Sequence, residues 1–128
     1  MNRMLFPKTV AAPTSTFSHA VEVQAGARML FITGQIALAK DGTVPPSFVE
    51  QAELCWRNIS EILKEANMEL RDLVKIQGFV VDPADMPAYR AVRERILGDH
   101  RPASTMIVIS ALGRSEWKVE IEAVAARA

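Results

Sequence analysis

The run from Val74 to Val81 is β-type and apolar on both sides, because Val74, Ile76 and Val80 alternate onto one face while Phe79 and Val81 share the other with Lys75 and Gln77. A strand of this kind needs cover twice. Only two segments have helical periodicity. The first opens at Ser47, whose spacing to Glu50 makes a capping box, and it carries Ala52, Cys55, Trp56, Ile59, Ile62, Leu63 and Ala66 as one stripe before Asn67 ends it in the left-handed conformation. The second is capped by Asp85, presents Met86, Tyr89, Val92, Ile96 and Leu97, and stops at Gly98.

Further strands surround these helices. His19 to Gln24 and Arg28 to Ile32 read as a hairpin turning at Ala25-Gly26-Ala27, Thr105 to Ser110 is almost wholly apolar, and Trp117 to Ala125 alternates. Met1 to Ser18 lacks periodicity and contains Pro7 and Pro13, so residues 1–17 are expected to form an irregular arm on a single domain spanning 1–128. The order β-β-α-β-α-β-β predicts an α+β fold: about six strands in a single sheet, with both helices on one face. The other face would expose Phe79 and Val81, so a subunit partner is expected to cover it.

Charge narrows the function classes. Lys plus Arg and Asp plus Glu are 15 each, a formal net charge of zero, which disfavours nucleic acid and anionic membranes as partners. Apolar runs such as Met29 to Ile32 are far short of the ~20 residues a membrane helix needs. With one cysteine, and an N-terminal stretch unlike a secretion signal, the expected location is cytoplasmic.

Several chemistries lack their residues. The glycines at 26, 34, 42, 78, 98 and 113 are too scattered for a phosphate loop, and His19, His100 and Cys55 have no metal-ligand spacing, so no metal is expected. Cys55 lies on the buried stripe and reads as core rather than nucleophile. Glu120 and Glu122 stand ~7 Å apart on one strand face; periodicity alone gives them to solvent, and Glu120 gains interest only if an interface buries it. Arg90, Arg93, Arg95 and Arg101 form a basic cluster suited to a carboxylate or phosphate, although Glu94 and Asp99 offer surface pairing instead. Trp56 and Trp117 read as packing anchors.

At Phe17-Ser18-His19-Ala20-Val21, then Phe31-Ile32-Thr33-Gly34-Gln35-Ile36, the chain resembles the Rid family, also called YjgF-type or reactive intermediate deaminase. The likeness continues through Gln51-Ala52, Asn58-Ile59, Leu73-Val74-Lys75, Pro102-Ala103 and Val119-Glu120-Ile121-Glu122-Ala123, covering nearly the whole chain in order. It implies a chorismate-mutase-like subunit in a homotrimeric barrel, with small-molecule clefts between subunits and no cofactor. Deaminating members hydrolyse 2-imino and enamino acids, with an arginine holding the substrate carboxylate and a glutamate positioning water. The matching site positions are Phe17, Thr33, Gly34 and Glu120.

Three positions depart from the family pattern. Pro-Ala-Arg-Ser is Pro102-Ala103-Ser104-Thr105 here, an asparagine on the second helix is Arg90, and a nearby tyrosine is Arg93. Loss of a bidentate contact to a carboxylate costs about 2 to 5 kcal/mol, so hydrolysis of simple 2-imino acids is expected to be weak, and an arginine restored at Ser104 to strengthen it. Arg90 could compensate from the cleft mouth, or pair on the surface with Glu94 or Asp85. Three readings follow: a deaminase of altered specificity with Glu120 catalytic and Phe17, Thr33, Gly34, Arg90 and Ser104 binding substrate; a non-catalytic trimer that binds or senses a small acid; and an RNA-cleaving protein, which the neutral charge disfavours.

Overall fold

Both expected helices form in the computed structural model, which describes residues 1–128. Helix α1 spans Phe48–Glu65 and α2 spans Met86–Leu97. The Ser47 hydroxyl accepts from the Glu50 backbone N–H at 3.2 Å and donates to the Glu50 carboxylate at 3.0 Å, which fixes the start of α1. Asn67 turns left-handed after its end, at φ +56°. The start of α2 differs from expectation. Asp85 makes no side-chain cap; instead Asp82 accepts from the Ala84 N–H at 2.9 Å and starts a 3-10 turn, Pro83–Asp85, that feeds the helix. A proline just inside that turn favours it, since it needs no donor there.

Six strands form: β1 (Arg3–Leu5), β2 (Ala20–Glu22), β3 (Arg28–Ile36), β4 (Leu73–Val80), β5 (Ala103–Val108) and β6 (Val119–Arg127). They do not share one sheet. Four make the main sheet, in the order β3-β6-β4-β5, while β1 and β2 form a separate two-stranded ribbon. The arm is thus not irregular throughout, and the segments flanking Gly26 are not hairpin partners. Gly26 does make the turn, at φ +81°, but β2 pairs with β1 and β3 pairs with β6. The physical reason is length, because nine-residue β6 offers β3 a long antiparallel ladder that three-residue β2 cannot match.

Strand β4 lies parallel to β5 and antiparallel to β6. Both helices pack on one face of this sheet, where Ile76, Val80, Val119, Ile121, Ala123 and Ala125 are buried against Trp56, Ile59, Leu63, Tyr89 and Val92. The opposite face is open. It carries a hollow of about 260 Å³ lined by Phe31, Thr33, Lys75, Gln77 and Glu122, and Phe31 is 75% exposed beside it.

Buried Gln51 ties α1 to the loops at the end of the sheet. Its amide donates to the carbonyls of Pro45 at 2.9 Å and Glu116 at 2.8 Å, and its carbonyl accepts from the Lys118 N–H at 2.9 Å. All but one of its hydrogen-bonding positions are therefore occupied. Gln51→Leu removes three bonds and strands three backbone groups, so it should destabilise the fold by about 3 kcal/mol. Urea unfolding of parent and variant measures this, and an unchanged midpoint would refute the tie.

Candidate functional site

Two groups of predicted site residues come together in the chain, each at its own place. The first is built around a bulge in β3. From Ile32 to Gln35 the strand advances three residues while its partner β6 advances two, from Ala123 to Ile121, so one residue is extra at Thr33-Gly34. Gly34 meets Glu120 there. A Cβ at Gly34 would fall on the Glu120 carboxylate, 2.8 Å from Cδ, so only glycine leaves that carboxylate its position. Glu120 alternates with buried Val119 and Ile121, which places it on the face away from the helices, half-buried.

The second group joins the arm, α2 and β5. Ser18 bridges Ala103, and its N–H donates to the Pro102 carbonyl at 3.3 Å, which lays Ser15 to Phe17 along the start of β5. Arg93 reaches into this junction from α2. Its guanidinium donates to the hydroxyls of Ser104 at 3.2 Å, Ser15 at 2.9 Å and Thr16 at 3.3 Å, and stands 5.9 Å from the Tyr89 ring centroid. Only 4% of Arg93 is exposed, and burial pushes its pKa down, with the Tyr89 and Glu94 charges opposing that shift.

Strands β3 and β5 are opposite edges of the sheet, so the groups do not meet within one chain. Glu120 is level with Phe79 and Ile107; Ser104 is two strands away, about 10 Å, and three residues along, about another 10 Å, on the other face. Arg90 is exposed and makes no hydrogen bond or ion pair with Glu94 or Asp85. Glu122 faces the open hollow beside Lys75 and Gln77.

Sequence reasoning counted Arg93 among surface cations and missed its burial. The signal was available: Arg93 follows Tyr89 by four residues, on the buried side of α2, while Arg90 and Glu94 fall outside that stripe. Tyr89 itself lies over Gly78, whose missing Cβ leaves room for the ring; burial raises the phenol to about 12. Cys55 is core, as expected. Burial first, and then the charge of Glu120, pushes its thiol up to about 12.

The chain shows no cluster of three or more His, Cys, Asp or Glu side chains able to hold a metal, and no helix long and apolar enough to cross a membrane.

A family model described as Endoribonuclease L-PSP matches residues 8–127. The chain belongs to this family, the Rid family. Two relatives are named 2-iminobutanoate/2-iminopropanoate deaminase. The protein of Escherichia coli K12 is 32% identical over 127 residues, covering 94% of this chain and 98% of the relative. The mouse protein is 31% identical over 121 residues, covering 91% and 87%. Among solved structures, the Rid-family protein YyfB of Yersinia pestis, described as of unknown function, superposes with a TM-score of 0.86 at 32% identity over 97% of each chain. The α+β fold inferred from the sequence is thus the Rid fold. Family membership does not fix a compartment, since the fission-yeast relative mmf2, 34% identical over 100 residues and covering 77% of this chain and 79% of its own, is named as mitochondrial.

Two outcomes check this Rid-family geometry. Native Cys55 should resist a disulfide reagent at pH 8 and react fully in urea, and rapid native labelling would contradict its burial. Gly34→Ala should fold while displacing the Glu120 carboxylate, visible as shifted Glu120 side-chain NMR resonances; unmoved resonances would count against the contact.

Proposed function

We propose that this chain works as a homotrimer whose subunit interfaces form clefts for small carboxylic acids, where Glu120 directs water onto a carbon–nitrogen double bond. The observation that carries this reading is the placement of the Glu120 carboxylate over Gly34, at a bulge on an edge strand and on the face that the helices leave open. Bulges re-aim side chains at sites of this kind. The second group, with Phe17 and Ser104, is at the opposite edge and on the opposite face. A neighbouring copy can bring its second group against the first group of this one, and the same contact would cover the exposed Phe31 face.

The substrate class follows from the family and the carboxylate. In a 2-imino acid the C=N carbon is electrophilic; Glu120 accepts a proton from water as the oxygen attacks and passes it to nitrogen. It then accepts the proton of the new hydroxyl and passes that to nitrogen as the C–N bond breaks and the C=O bond forms. The products are a 2-oxo acid and ammonia. An enamino acid reaches the same step after protonation at carbon. The relatives named for 2-iminobutanoate and 2-iminopropanoate support this reading. Thr33 and Gly34 line the acceptor side of the cleft, and Arg90 stands exposed on α2, one helical turn before Arg93.

Light scattering at micromolar concentration should give three times the 14.1 kDa chain mass, and a stable monomer would contradict the reading. With 2-iminobutanoate generated in the assay, the chain should release ammonia, and Glu120→Gln should lower that rate by ~100-fold or more at unchanged trimer mass. Equal rates for parent and variant would remove Glu120 from the reaction. Retention of 2-oxobutanoate without any ammonia release would favour a binding protein instead.

A further inference from the structure

The buried cation on α2 has no anion. Arg93 forms none of the ion pairs in the chain, and its three donor contacts all go to neutral hydroxyls. Its Nε is buried without a hydrogen-bond partner. The adjacent carboxylate, Glu94, is spent on Thr16, which donates to it at 3.3 Å. A guanidinium that is 4% exposed with no carboxylate in contact is costly, which makes it a candidate site for a counter-charge from outside the chain.

The groups in contact with it suit one kind of counter-charge. Ser15 and Ser104 bring hydroxyls to the guanidinium that can turn and donate to a carboxylate oxygen, the Thr16 proton stays on Glu94, and the planar fork of Arg93 supplies paired N–H groups. Phe17, next to Thr16 in the chain, is half-buried. All three hydroxyls come from the arm and β5, which also carries the position where a family arginine is replaced by Ser104.

We propose that Arg93 is the anion anchor of the cleft, delivered from α2, and that Ser104 is its hydrogen-bonding partner. This rests on the small-acid reading given above and deepens it. The carboxylate enters on the α2 side of β5, exchanges neutral hydroxyl contacts for a charge-assisted pair, and leaves the reactive carbon directed away from α2, toward the neighbouring copy's Glu120. A side chain added at Ser104 competes for this space. An arginine there would set two guanidinium groups together in a buried pocket, so Ser104→Arg should weaken acid binding, contrary to the gain expected from sequence alone. Exposed Arg90 is not the anchor.

The test uses the full-length chain with 2-oxobutanoate as the acid and 2-oxobutanamide as its neutral counterpart, by isothermal titration and by the 15N–1H signals of arginine Nε groups. The parent should bind the acid at least tenfold more tightly than the amide, and one Nε signal, absent from Arg93→Lys, should move with the acid alone. Arg93→Gln should lose 30-fold or more in acid affinity with its weak amide affinity unchanged, while Arg90→Ala stays within twofold. If Arg93 only fastens the arm, Arg93→Gln will melt lower yet keep the acid-over-amide preference, and the proposal fails while the cleft reading stands. If Arg93→Gln does not fold, an Nε signal of the parent that ignores saturating acid overturns the proposal. Binding of neither compound to the parent overturns both the proposal and the reading beneath it.

Discussion

The architecture depends on an imbalance between sheet and helices. A four-stranded sheet offers two faces, and two helices of 18 and 12 residues cover one of them. On that face the burial is thorough, with Ile76, Val80, Val119 and Ile121 fully enclosed. The other face leaves Phe31 and Ile107 in contact with solvent between Lys75, Gln77 and Glu122. Everything proposed about assembly and site follows from how that open face is used. In the proposed trimer a carboxylate placed there, as Glu120 is, acts on what the neighbouring copy presents.

Much of this was legible in the sequence because it rests on periodicity and capping. The Ser47 start and the Cys55, Trp56, Ile59, Leu63 stripe of α1 follow from local rules, as do the left-handed Asn67 and Gly98 ends. Pairing was less legible. Nothing local tells β3 to choose β6, more than 80 residues on, over β2 across a glycine turn, since the gain lies in ladder length and in burying alternate residues of β6. The β3 bulge was hidden for the same reason: Thr33-Gly34 reads as the end of a strand until its partner's register shows an extra residue. The resemblance to the Rid family supplied the site positions that periodicity left to solvent, Glu120 above all.

Arg93 marks the limit of pattern reading most clearly. Arginines on a helix with interleaved acids look solvated, and charge arithmetic cannot distinguish Arg90 from Arg93. Three residues of separation and the closing arm make the difference: one guanidinium is in water, the other is under Ser15 and Thr16 with Tyr89 beside it. Burial is what turns a common side chain into a candidate anchor, because a desolvated charge gains far more from an arriving carboxylate than an exposed one.

The central claim is that one functional site is divided between two copies of the chain. Chains carrying Glu120→Gln and chains carrying Arg93→Gln, refolded together in equal amounts, test it by their rate of 2-iminobutanoate hydrolysis. In random trimers about a quarter of the interfaces would join an intact Glu120 group to an intact Arg93 group, so the mixture should recover about a quarter of parental activity although each variant alone has little. A mixture no more active than its two components, beside an active parent, would show that the groups do not meet across an interface.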